Sequence, residues 1–175
     1  MDRARVAGAI AGGRDTAEVI SSGETRVSFR THDGIHCDVR MVTREEHQFA
    51  LHYFTGCKEH NVAVRTRALR RGLTLNEYGL RRGDAPVACA TEEELFAALG
   101  LQDIPPELRE NAGEIEAAAA GSIPALIEQT DLRGIIHVHT TWSDGVHTLM
   151  EMAETAKEMG FDYIGITDHS QTASY

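Results

Sequence analysis

Two apolar runs, each ending in a histidine-bearing polar tip and separated by one amphipathic segment, constrain this chain more than anything else in it. The first reads Gly134-Ile135-Ile136-His137-Val138-His139-Thr140, the second Tyr163-Ile164-Gly165-Ile166-Thr167-Asp168-His169-Ser170. Apolar residues leading up to His137 predict a buried strand whose last residues emerge from the sheet. Strand side chains alternate, so His137 and His139 are expected on one face and Val138 in packing. Between the runs, Thr148 and Glu151 have the spacing of a capping box, and Leu149, Met152, Ala153, Ala156 and Met159 mark one helical face ending at Gly160. A strand-helix-strand unit implies parallel strands and puts both polar tips on one rim, where α/β folds place their chemistry. The turn sequence Ser143-Asp144-Gly145 can fold a carboxylate back to the same rim.

Neutral imidazoles beside carboxylates suit zinc, manganese or iron. Such an ion lowers the pKa of bound water from about 15.7 toward roughly 7 to 9 and so supplies a nucleophile for hydrolysis. A lone His-x-His is more often chance than a site, and His169 alone could be a surface histidine. Two strand ends carrying His, His, Asp and Asp-His together turn that balance toward metal. Asp168 can be read as a ligand, as a partner that orients a histidine, or as a cap for the next turn.

The first half alternates from Thr25 onward: Val27 and Phe29 on one face, then Thr31-His32-Asp33-Gly34, then Ile35, Cys37, Val39 and Met41. Asp-Gly between alternating runs predicts a hairpin, with His36, Asp38 and Arg40 sharing the face opposite the core. Residues 1–20 form a weakly amphipathic segment interrupted by glycines. Thr43 with Glu46 opens a helix through about Phe54, a second runs from about Lys58 to Arg71, and Leu73 to Leu80 reads as one strand. The turn Arg81-Arg82-Gly83-Asp84 then leads to a return strand from Val87 to Ala90, and Thr91 with Glu94 starts a short helix. Pro105-Pro106 and an alanine-rich helix make residues 101–132 look like a connector between domains.

Charge enters where a partner is weighed. The net formal charge is -10, yet Lys58, Arg65, Arg67, Arg70, Arg71, Arg81 and Arg82 cluster against only Glu59 and Glu77. That stretch could meet phosphates or could be a solvated helix face, and charge alone does not decide between them. No apolar run approaches the ~20 residues of a membrane span, and the N-terminus lacks the basic-then-apolar layout of a signal peptide, so a cytoplasmic location is expected. Cys37, Cys57 and Cys89 lack Cys-x-x-Cys spacing, so neither a disulfide framework nor a cysteine zinc site is expected.

His137-Val138-His139-Thr140, Ser143-Asp144-Gly145 and Thr167-Asp168-His169-Ser170 resemble the opening motifs of the PHP (polymerase and histidinol phosphatase) family of metal-dependent phosphoesterases on a distorted α/β barrel. The resemblance implies that His137, His139, Asp144 and His169 are metal ligands, for Mn²⁺ or Zn²⁺, with further ligands on later strands. Asp38-Val39-Arg40, Tyr53-Phe54-Thr55-Gly56, Asn61 with Arg65, and Asn76-Glu77-Tyr78 are similar in order and spacing to the end of the palm and the thumb of family X DNA polymerases. A thumb followed by a PHP domain matches the bacterial members, which join nucleotide transfer to a 3′-to-5′ exonuclease.

This second resemblance implies that Asp38 is the last of three palm carboxylates holding two Mg²⁺ ions. Arg40 would pair with Glu77 and Tyr78 in setting open and closed states. Tyr53, Phe54 and Gly56 would lie against the incoming sugar, and Asn61 and Arg65 would reach the minor-groove edge of the nascent pair and the template. Taken singly, Asp38 reads as a strand-face carboxylate paired with Arg40, and Tyr53 and Phe54 as core. The expected fold class is mixed α/β, with residues 1–42 the end of a nucleotidyltransferase palm, 43–100 a small α+β thumb, 101–132 a connector, and 133–175 the first βαβ unit of an incomplete PHP barrel. The family's Asp-x-Asp pair does not occur before Asp38, so the chain reads as an interior slice of a longer polymerase and is expected to be inactive alone. Its expected partners are gapped or primer–template DNA and a dNTP, in DNA repair or gap filling, with no membrane. The alternatives are a stand-alone phosphoesterase and a non-catalytic DNA-binding thumb module.

Overall fold

Local capping chemistry starts the chain, here described over residues 2–173 in a computed structural model. Asp2 accepts from the Arg5 backbone N–H at 3.2 Å and opens helix α1 (Arg3–Ala11), which stops at Gly12. Strands β1 (Thr16–Ser22), β2 (Arg26–Thr31) and β3 (His36–Arg40) form an antiparallel sheet in the order β1-β2-β3. The Asp33-Gly34 turn closes the expected hairpin, with Gly34 at φ +89° and its N–H donating to Thr31 O at 3.0 Å. Val27 pairs with Val39 and Phe29 with Cys37, so the odd-numbered residues face the small core of Ala7, Val27 and Met41. Strand β1 shows no alternating burial and has two register irregularities against β2. It is an edge strand held by pairing, which is why its sequence carries no period to read.

Thr43 and Glu46 exchange the two capping-box bonds, at 2.8 and 3.3 Å, ahead of helix α2 (His47–Thr55). After Gly56, the Cys57 sulfur accepts from His60 N–H and opens helix α3 (Lys58–Arg70). The single strand expected over Leu73 to Leu80 is two strands, β4 (Thr74–Asn76) and β5 (Gly79–Arg82), followed by β6 (Ala85–Val87) in the sheet order β4-β5-β6. Asn76 causes the break: its Oδ1 accepts from Tyr78 N–H at 3.0 Å and Gly79 N–H at 3.1 Å, so the chain turns at Glu77 and Tyr78. Helix α4 (Glu92–Ala98) is capped by Thr91, whose hydroxyl accepts from Glu94 N–H.

Residues expected as a connector prove to be core in their first part. Leu101, Ile104, Ile115 and Ala118 are buried in the same cluster as Val64, Leu80, Leu95 and Phe96. Gln102 N–H donates to Ala118 O, tying helix α5 (Glu114–Ala120) onto that cluster. Burial of these four apolar side chains outweighs the local punctuation of Pro105-Pro106. Two compact units result, Met1–Ile123 and Pro124–Tyr175.

In the second unit, strands β7 (Gly134–Val138) and β8 (Tyr163–Ile166) pair in parallel and are joined by helix α6 (Leu149–Glu158), whose capping box between Thr148 and Glu151 is formed. The strand-helix-strand reading holds, but the buried character expected of β7 does not. Val138 is buried while Ile136 is 74% exposed. Among the described residues the sheet has two strands, so few side chains are covered on both faces.

Candidate metal centre and polymerase-type surface

The tips of β7 and β8 bring three donors together. His139, Asp144 and His169 each offer a ligand atom, all within 4.8 Å of one another. His139 Nδ1 lies 3.0 Å from Asp144 Oδ1, His169 Nε2 lies 3.6 Å from the same oxygen, and the two imidazole centres are 4.4 Å apart. Donors each about 2.1 Å from one tetrahedral cation stand ~3.4 Å apart, so this spacing fits a transition-metal ion. Burial pushes the Asp144 carboxyl upward, but its own backbone N–H, the Ser143 hydroxyl and the two imidazoles outweigh that and hold it below its ordinary value. It therefore stays an anion at neutral pH, as a ligand must.

His137 is placed differently from the simple alternation. The register of β7 on β8 shifts between Ile135 and Val138, and His137 takes φ +67°, so a bulge interrupts the strand there. Its ring centre is 5.1 Å from that of His139, beside the three-donor group rather than in it.

Asp168, read from sequence as a ligand, a partner that orients a histidine or a cap for the next turn, clamps the preceding loop in the structure. Its carboxylate accepts from Thr140 N–H at 2.6 Å, Thr140 hydroxyl at 2.7 Å and Ser143 hydroxyl at 2.6 Å. The Ser143 bond and then the Thr140 bonds lower its pKa. Thr140 is fully buried, and neither it nor Ser143 stands out in the sequence beyond its place in the motif. Gly145 is required here because a Cβ would run into the backbone of His139 and Thr140; that close approach carries Asp144 back over the strand tip.

In the first unit Asp38 lies on the sheet face opposite the core, opposite Ser28 in register. Three donors meet its Oδ1: the Ser28 hydroxyl, Arg26 Nε at 3.0 Å and Arg26 Nη2 at 2.7 Å. The Ser28 bond first, then Arg26, lowers its pKa. The pairing of Asp38 with Arg40 is thus replaced by one with Arg26, which sits directly across from Arg40. Arg40 turns instead to the next motif: Nη1 donates to the Tyr78 hydroxyl at 3.1 Å, and its guanidinium lies 5.9 Å from the centre of the Phe54 ring. Glu77 is at the same turn and makes neither contact.

Tyr53 and Phe54 meet edge to face at 4.9 Å, and Phe54 is exposed rather than core. Asn61 directs its amide Nδ2 at the carbonyls of Tyr53, Gly56 and Cys57, at 3.0, 3.3 and 3.1 Å, which fastens the α2–α3 junction. Gly56 packs so closely that a Cβ would stand 2.9 Å from His60 Cδ2. Arg65 is exposed one turn after Asn61 and lines a small crevice with Tyr53, Asn61 and Asn76. Arg67, counted with the basic stretch, is spent on the end of α4, donating to Leu99 O and Gly100 O at 2.9 Å each.

Beneath this surface lies a buried polar group that no sequence period marks. His60 Nδ1 is 2.7 Å from Glu114 Oε1, and Arg109 pairs with Glu92 at 2.6 Å while its guanidinium lies over Phe96. His52 stands beside His60 and Phe96, at ring distances of 5.6 and 5.3 Å.

Comparison with known proteins follows the same division. The family model for the DNA polymerase beta thumb matches residues 50–110, and that for the PHP domain matches residues 136–175. The chain is 42% identical over 159 residues to the DNA polymerase/3′-5′ exonuclease PolX of Bacillus subtilis, covering 87% of this chain and 27% of that protein's length. Leishmania infantum polymerase beta, in crystal structures of its ternary P/T complex and ternary gap complex, shares the fold. Both give a TM-score of 0.53 over 61% of this chain, at 20% and 19% identity, and over 51% and 47% of the solved chains. No helix among the described residues is long and apolar enough to cross a membrane. With a polymerase beta thumb followed by part of a PHP domain, the chain covers part of a family X DNA polymerase (PolX)-like protein.

Proposed function

We propose that this chain belongs to a cytoplasmic, DNA-directed DNA polymerase that fills gaps during repair and carries a PHP 3′-to-5′ exonuclease. The observation that carries the reading is the convergence of His139, Asp144 and His169 at one sheet rim, in the same chain as a polymerase beta thumb. Mn²⁺ or Zn²⁺ held by these residues, with His137 alongside, would supply a polarised water for phosphodiester cleavage. Asp168 keeps the loop that presents Asp144 in place.

In the polymerase half, Asp38 Oδ2 takes none of the bonds from Ser28 and Arg26, and it is the atom that would meet Mg²⁺. The Arg40–Tyr78 bond joins the palm strand to the turn at Glu77 and Tyr78, as a contact that sets open and closed states must. Half-buried Tyr53 and exposed Phe54 would face the sugar of a dNTP, with Gly56 beside them, and Arg65 would face gapped or primer–template DNA. Asn61, already engaged with three carbonyls, would act at the minor groove only through its remaining amide oxygen. Residues 1–42 are assigned to the palm, the thumb begins at 43, and the PHP part begins at 133.

Gapped-duplex binding by the whole chain tests this reading. Affinity should fall steeply with salt and drop on Arg65→Ala, and Mn²⁺ should bind with loss on His139→Ala. Polymerase and nuclease turnover by these 175 residues alone should be negligible. DNA binding insensitive to Arg65→Ala, or nucleotide incorporation abolished by Asp38→Ala, would contradict the respective parts.

A further inference from the structure

Trp142 is the single tryptophan in the chain and is 80% exposed. The two-stranded sheet leaves Ile127, Ile136 and Val146 just as open, so what singles Trp142 out is its place beside the donors His139 and Asp144. Its backbone, in contrast, is fastened. Trp142 N–H donates to the Thr140 hydroxyl at 3.2 Å, and that hydroxyl is held by Asp168. Ser143 N–H and Gly145 N–H both donate to Thr140 O at 3.0 Å, and Thr141 N–H donates to His147 O at 3.0 Å. The indole is therefore presented from a locked turn, three residues after His139 and two before Asp144, the donors described above.

Charge narrows what such an indole can hold. Residues 124–175 carry eight carboxylates against only Arg133 and Lys157. Within these residues counterion release contributes little, since that mechanism needs several cations along the backbone. A cation at His139, Asp144 and His169 would hold one phosphate. A contact indifferent to charge would add affinity at this rim, and stacking of a nucleobase on an aromatic face is such a contact. Resting on the PHP reading above, we propose that Trp142 is the stacking platform for the base next to the phosphodiester held at the metal centre. Single-stranded nucleic acid with an unpaired 3′ end is the ligand, because only an unpaired base exposes its face.

Because Trp142 is the sole indole, its fluorescence reports the contact directly. The free chain should emit as a solvated indole, and a short single-stranded deoxyadenosine oligonucleotide with Mn²⁺ should quench it. Replacing the terminal nucleotides by abasic ones should remove the quench. Trp142→Ala should weaken oligonucleotide binding, read by anisotropy, about ten-fold, and Trp142→Phe should retain most of it. Emission already typical of a buried indole, binding without quenching, or no binding at all would overturn the proposal. So would a parallel loss of Mn²⁺ affinity in Trp142→Ala, which would make the indole a structural prop. Calorimetric Mn²⁺ titration keeps the two readings apart. Mn²⁺ bound without quenching sinks the stacking proposal alone, whereas quenching without Mn²⁺ binding sinks the PHP reading and leaves the aromatic contact standing.

Discussion

Acidification should unfold the first unit through His52. This side chain is 1% exposed, its Nδ1 has no hydrogen-bond partner among the described residues, and it faces Phe96 and His60. Burial first, then the Arg109 and His60 charges, push its pKa from 6.5 to about 3. A folded value below the unfolded one means that the unfolded chain binds the proton more tightly. The contribution is therefore whole above about pH 6.5 and drains as pH falls toward the folded value. The slope is about 1.4 kcal/mol per pH unit, so about 2 kcal/mol is lost by pH 5. His60 acts in the same direction: burial lowers its pKa against the opposing pull of Glu114. Glu114 is itself held low, its burial outweighed by bonds from His60 and from backbone N–H groups, and adds a loss below its ordinary range. Urea unfolding followed by far-ultraviolet circular dichroism at successive pH values reads this, because most of the helices lie in the first unit. His52→Leu should flatten the profile between pH 6.5 and 5. Stability that stays level across that window, or a slope unchanged in His52→Leu, would refute burial of a neutral imidazole as the cause.

Two further substitutions probe close packing and loop anchoring. Gly56→Ala would place a Cβ 2.9 Å from His60 Cδ2 and 3.2 Å from Arg109 Cβ, and should cost about 1–3 kcal/mol of stability in the same urea assay. Asp168→Ala frees Thr140 and Ser143 together and should weaken Mn²⁺ binding about 10–100-fold by calorimetry while leaving His139, Asp144 and His169 in the chain. Unchanged affinity would show that the loop needs no such anchor.

What could be read from the residues alone was local. The capping boxes at Thr43 and Thr148, the hydroxyl cap at Thr91, the Asp33-Gly34 hairpin, and the strand-helix-strand order around His139 and His169 all depend on groups within a few positions of one another. Side-chain oxygens, turn glycines and periodic apolar faces announce themselves at that range. The placement of Asp38 and Arg40 away from the core followed from alternation in the same way, whereas at the tip of β7 a bulge broke the alternation and set His137 beside the group of His139, Asp144 and His169.

Tertiary structure decided the partners. Asp38 took Arg26 and Ser28 because pairing of β2 with β3 sets who stands across from whom, and Arg40 reached Tyr78 only because Asn76 turned the chain between β4 and β5. Leu101, Ile104, Ile115 and Ala118 became core because a packed surface was there to receive them. The buried set of His52, His60, Glu114 and Arg109 has no spacing to betray it, since its members are gathered from separate elements; His60 finds Glu114 and Arg109 finds Glu92 only once those elements pack, and His52 is held by the rings of His60 and Phe96. Local chemistry selects which elements form and where their polar tips lie; burial and register, which depend on residues far apart in sequence, assign each charged side chain its counterpart.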